Sequence, residues 1–265
     1  MAKLRVAIHG AAGRMGQRLV ALGSSDTELQ IVAAVDSPNH PRLGQDAGVI
    51  AGVSTIGVPL GGRLDVTPEV VIDFSIPAGA EAITRLCVER KLPLVMATTG
   101  LAEAQQQMLR EAAQAIPLLC SPSMSLTVNL AMKLVEIAGR ALADHPSGVD
   151  VEIIERHHRF KEDAPSGTAL RFGEIVATAM GQTRHVHGRE GRPGQRPHDE
   201  IGYHAIRVGD NPGEHTVLFG LLAETLELTV RASNRDCYAH GALAAAKFLA
   251  GKPPGLYGMS DVLGI

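Results

Sequence analysis

The sequence predicts an α/β protein: a doubly wound parallel sheet plus an α+β part with an open mixed sheet. Three observations predict it. From residue 4 to about 124, short apolar β-branched runs alternate with helical, Ala/Glu/Gln/Leu-rich stretches, the pattern of parallel strands covered on both faces. The first run leads into a glycine-rich turn that opens a helix. Beyond residue 149, β-rich runs follow one another through short turns, which suits hairpins rather than crossovers.

The strands expected in the first part are Leu4–His9, Leu29–Val35, Val70–Phe74, Leu92–Ala97 and Ile116–Cys120. Helices are expected near 14–23, 78–90 and 102–115, and right-handed crossovers then wind the sheet. A longer helix at roughly 127–143 carries Val128, Ala131, Met132, Val135, Ala138 and Leu142 on one stripe and stops at His145-Pro146. In the second half, Val149–Glu155 is a strand and Gly167–Met180 a helix. The stretch Gly181–Glu200, rich in Gly, Arg and His, is expected to be a mobile surface loop, His185 and His187 included. The runs Ile201–Val208, His215–Leu222 and Leu226–Ala232, joined by GDNPGE and AET, predict antiparallel meanders. Such a sheet, with one helix on it, needs a second cover, and a partner subunit is the expected one. Tyr238–Leu249 is helical, apolar and expected to return to the first domain. The expected division is 1–125, 126–234 and 235–265, the last completing the first.

Composition narrows the function classes. With 265 residues, 45% hydrophobic and 20% charged, the chain buries a real core, and a net charge of -3 excludes a disordered polyelectrolyte. No apolar run nears the ~18 residues of a membrane span. MAKLRVAIHG runs straight into a strand-like segment and lacks a leader's apolar core and cleavage site. Cys87, Cys120 and Cys237 form no CxxC and read as reduced thiols in a cytoplasmic protein, with neither a disulfide frame nor a metal site expected. Interspersed charges and a pI near 6.4 argue against nucleic acid, while a few local cations leave a small acidic substrate open.

Two motifs carry chemistry. Gly10-Ala11-Ala12-Gly13-Arg14-Met15-Gly16 has the spacing that lets backbone approach a pyrophosphate at a helix N-terminus, and Asp36 ends the next strand, where it can accept from an adenosine ribose hydroxyl. A carboxylate there suits the free 2′-hydroxyl of NADH, and Ser37 follows it rather than an arginine for a 2′-phosphate. NADH is therefore expected to serve at least as well as NADPH. Asp73-Phe74-Ser75-Ile76-Pro77, Ala97-Thr98-Thr99-Gly100 and Ser121-Pro122-Ser123-Met124 each close a strand at its ligand-binding end, with Thr98 and Thr99 placed for a nicotinamide ribose.

The second motif runs from Glu155 to Ala169. A strand ends in His157 and His158, Lys161 follows, and Pro165-Ser166-Gly167-Thr168 starts a helix whose free N–H groups make an anion site. Histidine is the natural general acid near neutral pH, and lysine adds charge and a proton. Together they suit a carboxylate-bearing substrate that is protonated as it is reduced. Arg235, ending a β run, is a second carboxylate clamp. From the residues alone, another reductase of amino-acid metabolism, such as an aspartate or homoserine dehydrogenase, and a silent NAD-binding sensor stay open.

EIIERHHRFKEDAPSGTA, supported in order by GAAGRMG, DFSIP, TTG, GYHAIRVGDNPGEHTV and LELTVRASNR, resembles the dihydrodipicolinate reductases of diaminopimelate and lysine biosynthesis over essentially the whole chain. The resemblance implies a Rossmann-like domain from both chain ends, a central α+β substrate-binding and oligomerisation domain over 126–234, and a homotetramer assembled through the central sheets. It implies His157 as catalytic acid/base and Lys161 as proton donor, with His158, Lys161, Ser166, Gly167, Thr168 and Arg235 on a dicarboxylate substrate. It places Gly10, Ala11, Ala12, Gly13, Arg14, Met15, Asp36, Phe74, Ala97, Thr98, Thr99, Ser121, Pro122, Ser123 and Met124 around an NADH or NADPH cofactor. The chain departs from the family's common pattern at Ala97, often Gly, at Ser123, often Asn, and at Asp36-Ser37, often Glu-Arg.

Overall fold

The computed structural model describes residues 2–265. In chain order the elements begin with β1 (Leu4–His9), α1 (Arg14–Ser25), β2 (Leu29–Val35), α2 (Ala47–Ile50), β3 (Leu60–Gly61), β4 (Val70–Asp73) and α3 (Pro77–Arg90). Next come β5 (Leu94–Met96), α4 (Glu103–Ala112), β6 (Pro117–Cys120), α5 (Leu126–Leu142), β7 (Asp150–His157) and α6 (Gly167–Met180). They end with β8 (Arg184–His187), β9 (Glu200–Arg207), β10 (Glu214–Gly220), β11 (Thr225–Arg231), α7 (Asp236–Leu249), β12 (Gly255–Tyr257) and α8 (Met259–Leu263). Two compact units emerge, one of residues up to Leu126 with Arg235–Ile265, the other of Thr127–Asn234.

The first unit is a seven-stranded sheet in the order β12-β6-β5-β4-β1-β2-β3, parallel throughout. Alternation along each strand explains why the runs are apolar at every position. Val6, Ile8, Val70 and Ile72 face one core with Leu19 and Val20 of α1 and Ala242, Ala246 and Leu249 of α7. Ala7 and Val71 face the other, with Ile83 and Cys87 of α3 and Leu109 and Ala112 of α4. β1 and β2 fill their apolar runs, whereas β4, β5 and β6 are one to three residues shorter than theirs, because flanking residues belong to the turns at the sheet edge. The short elements α2, β3, β12 and α8 escape sequence reading.

The second unit holds a five-stranded sheet in the order β11-β10-β7-β9-β8. The expectation of consecutive meanders is corrected here. β10 and β11 do form an antiparallel hairpin, but β9 and β10 do not pair: both flank β7, β9 parallel to it and β10 antiparallel. The sheet is mixed because Val151 and Ile153 of β7 need apolar neighbours on both sides, supplied by Ile201 and Tyr203 and by Val217 and Phe219. Phe172 and Val176 of α6 and Val135 of α5 cover that face. α6 starts where the Ser166 hydroxyl accepts from Ala169 N and stops at left-handed Gly181.

The stretch Gly181–Glu200 is also corrected. It contains β8, parallel to β9, with the His185 and His187 rings stacked on Tyr203. Arg189 and Arg196 then pin it to the sheet through Glu152, with Arg196 also reaching Asp150 at 2.8 Å and Arg189 pairing with Glu200. Burial pushes the Glu152 carboxyl up, but hydrogen bonds from Arg189, Arg196 and His204 outweigh it and hold the group down at about 2.

Candidate active site

In the first unit, the predicted cofactor residues all lie at the carboxyl edge of the parallel sheet. Gly10 takes φ +77°, and a Cβ there would meet the Phe74 carbonyl oxygen at 2.5 Å. A Cβ on Gly16 would sit 2.1 Å from the Gly10 carbonyl oxygen, so the turn closes only over bare backbone. α1 follows Gly13 with no side-chain cap and no acid in its first turn, which leaves its leading N–H groups and positive end for an anion. Asp36 accepts from Ala12 N at 2.9 Å and Ser37 N at 2.8 Å. It braces the glycine turn and retains a further lone pair on each oxygen for a ribose hydroxyl. These features fit a dinucleotide.

Neighbouring strand ends are tied by one residue that sequence reading did not assign a role. Asp73, fully buried at the end of β4, accepts from the Thr98 hydroxyl at 2.6 Å and pairs with His9 Nδ1 at 2.5 Å. Ala97 N also donates to the Asp73 carbonyl at 3.0 Å. Thr98, Thr99, Ser121 and Pro122 line a cavity of about 790 Å³ with Leu109 of α4 and Tyr257 of β12. The Ser121 hydroxyl donates to the Ser123 carbonyl. The Met124 side chain lies in the core, so this residue offers a ligand its backbone alone. Arg235 sits at the start of α7 in this unit.

In the second unit, the inward face of the mixed sheet turns from apolar to polar where β7 ends. Register sets Glu155 opposite His215 of β10 and His157 opposite Arg207 of β9. Glu155, 1% exposed, accepts from Arg207 through both oxygens at 2.7 and 2.8 Å and from Ser166 N at 3.1 Å, and holds His157 Nδ1 at 2.5 Å. Burial pushes its carboxyl up, and the bonds from Arg207 and His157 more than reverse this, leaving it below the usual carboxylate range. Burial drives the His157 imidazole below its ordinary value despite Glu155, with Lys161 and Arg207 adding to the fall. His215, its ring 5.1 Å from that of His157, contacts the Ser166 hydroxyl through Nε2 at 2.9 Å, and burial beside His157 and Lys161 lowers it to about 4.

Lys161 is not free-standing: its ammonium holds both oxygens of Asp163 at 2.7 and 2.8 Å, and that bond lowers the Asp163 carboxyl. His158 carries a buried Nδ1 with no hydrogen-bond partner. Gly167 and Thr168 form the first turn of α6, beside Ser166. Sequence reading missed Glu155, Arg207 and His215. Glu155 was within reach, since residues two apart on a strand share a face with His157. Arg207 and His215 come into place through register alone. Among the described residues no group of His, Cys, Asp and Glu is arranged to hold a metal, and no helix is long and apolar enough to cross a membrane.

A doubly wound sheet with a phosphate-cradling turn, joined to a sheet that buries a carboxylate–imidazole pair beside a helix start, is the build of a dinucleotide-dependent oxidoreductase. Known proteins narrow the class. Residues 4–124 match the family model for the dihydrodipicolinate reductase N-terminus and residues 127–263 that for its C-terminus. The 4-hydroxy-tetrahydrodipicolinate reductase of Rhodopirellula baltica is 56% identical, covering 99% of this chain and 96% of its own. That of Alkalilimnicola ehrlichii is 48% identical over 98% and 99%. Among solved structures, a dipicolinate-bound dihydrodipicolinate reductase from Paenisporosarcina sp. TG-14 superposes with TM-score 0.79 at 26% identity, covering 98% of this chain and 99% of that one. An amine dehydrogenase from Mycobacterium smegmatis, at TM-score 0.63 and 12% identity, shares the fold. The chain belongs to the dihydrodipicolinate reductase family.

Proposed function

We infer that this chain reduces 4-hydroxy-tetrahydrodipicolinate to tetrahydrodipicolinate, a step of the diaminopimelate route to lysine. The observation that carries the reading is the buried Glu155–His157 pair beside Lys161 and the Ser166-Gly167-Thr168 helix start, in a chain matching this family along its length. A bound nicotinamide dinucleotide supplies the hydride. The substrate loses water to a conjugated imine, hydride enters at the β-carbon, and charge develops toward the ring nitrogen. The first-turn N–H groups of α6, the Ser166 and Thr168 side chains and His158 hold the substrate's carboxylates. Lys161 exchanges Asp163 for the incoming ligand and donates the proton. His157, whose charged form burial disfavours, relays a solvent proton to the Lys161 amine and so restores the donor. Donors aimed at a developing charge contribute about 3 kcal/mol each.

Gly10 to Met15, Asp36, Phe74, Ala97 to Thr99 and Ser121 to Met124 hold the dinucleotide. Asp36 favours NADH at least as much as NADPH, with Ser37 beside it and the Arg42 guanidinium turned to Gln45. We read the protein as a cytoplasmic homotetramer, and supporting assembly through the mixed sheet is its outward face, where Ile206 of β9 is exposed. The test follows NADH oxidation while dihydrodipicolinate synthase generates the substrate in place. Turnover is expected, with His157→Ala and Lys161→Ala cutting kcat far more than NADH affinity. No turnover, or an active double variant, overturns the reading.

A further inference from the structure

Glu155 is saturated. A carboxylate offers about four lone-pair directions, and here they meet His157 Nδ1, two Arg207 nitrogens and Ser166 N. Buried and fully engaged, it cannot itself touch a ligand. What it can do is decide which nitrogen of His157 carries the proton. An anionic acceptor 2.5 Å from Nδ1 requires Nδ1–H, and a neutral ring then has a bare Nε2. That nitrogen points toward Gly213, where a Cβ would come within 3.0 Å, so the missing side chain keeps the space before it clear.

The same carboxylate reaches the start of α6. One oxygen accepts from Ser166 N, while the other holds the imidazole. Proton-bearing ring and anion-cradling helix start therefore share one anchor, and Arg207 fixes that anchor by a bidentate pair. We propose that Glu155, braced by Arg207, is the positioning residue that sets the His157 tautomer and its placement against the Ser166 helix start. The proposal rests on the reading of His157 as the proton-handling group.

His157 faces Glu155 on its own strand, Arg207 on β9, His215 on β10 and Lys161 in the loop that follows β7. Glu155 supplies the negative charge in that set. In Glu155→Gln the ring meets Lys161 and Arg207 without it and titrates at lower pH, and the amide can also donate to Nδ1, which favours the opposite tautomer. A wrong tautomer beside intact geometry costs up to about 10⁴-fold in kcat in the serine-protease case, which sets the scale.

The experiment combines ¹⁵N spectra of the histidine rings with kinetics and calorimetry on the full-length protein. Expected are Nδ1–H for His157 in the wild type, its loss in Glu155→Gln, a kcat reduced by about 10²-fold or more, an acid limb moved to lower pH, weaker pyridine-2,6-dicarboxylate binding and unchanged NADH binding. Glu155→Asp, which keeps the charge, is expected to recover part of kcat. Nε2–H in the wild type overturns the proposal without any variant having to fold. So does a Glu155→Gln enzyme with wild-type kcat and pH profile while His157→Asn is impaired. Full activity in His157→Asn instead removes the functional reading beneath it.

Discussion

His215 is 6% exposed, and burial lowers it from 6.5 to about 4, so the folded protein resists a proton that the unfolded chain accepts. The folded pKa lies below the unfolded one, so stability is full above 6.5 and falls as pH drops toward 4. At pH 5 the unfolded imidazole is almost wholly charged and the native one almost wholly neutral. At about 1.4 kcal/mol per pH unit, acidification from pH 7.5 to 5 removes about 2 kcal/mol through this one ring. His215→Gln keeps a polar group for the Ser166 hydroxyl and deletes the titration. Urea unfolding of both proteins at the two pH values, at fixed protein concentration, measures the difference. The variant is expected to lose about 2 kcal/mol less than the wild type on acidification. Glu152, which is not among the charges acting on His215, titrates in both proteins and drops out of the comparison. Equal losses would refute the assignment of a neutral, buried His215.

Gly241→Ala drives a Cβ to 1.7 Å from the Met124 carbonyl oxygen, so α7 must lift. The cost is about 2 kcal/mol or more, read as a Tm lowered by roughly 4–8 °C; an unchanged Tm contradicts the contact. Gly16→Ala sets side chain against backbone at 2.1 Å inside the glycine turn, and fluorescence titration is expected to show NADH binding weakened by about tenfold or more, equivalent to about 1.4 kcal/mol. Wild-type NADH binding would mean that the turn does not meet the dinucleotide. Asp73→Asn removes the charge that holds His9 and Thr98, at about 1.5–3 kcal/mol for each charged bond, and should lower both Tm and NADH affinity. Unchanged values would show the two side chains held by other means.

The parallel sheet was legible because burial on two faces writes itself as unbroken apolar runs, and Ala7 between Val6 and Ile8 serves one core while they serve the other. α6 was legible to the residue, bounded by a capping serine and a left-handed glycine. β8 was not: Arg184-His185-Val186-His187 carries no apolar alternation, and it holds its place by pairing with β9 and by stacking on Tyr203. The strand order of the second sheet was misjudged for a related reason. Proximity in sequence favours β9 beside β10, whereas core packing puts β7 between them. The site was half legible. Local signals give His157, Lys161 and Ser166, because a strand end, a turn and a cap lie in one segment. Arg207 and His215 arrive from distant strands, and no short-range pattern announces them.

α7 lies in the middle of the first unit's core, yet it is encoded after Asn234. During translation, β1 to β6 leave the ribosome with the part of this core face that α7 covers still bare, and it stays so until some hundred further residues have been made. The inserted unit has all of its own strands and helices by then. The half that begins first therefore finishes last, and a nascent chain stalled before Leu249 would present chaperones and proteases with a finished appendage on an unfinished body.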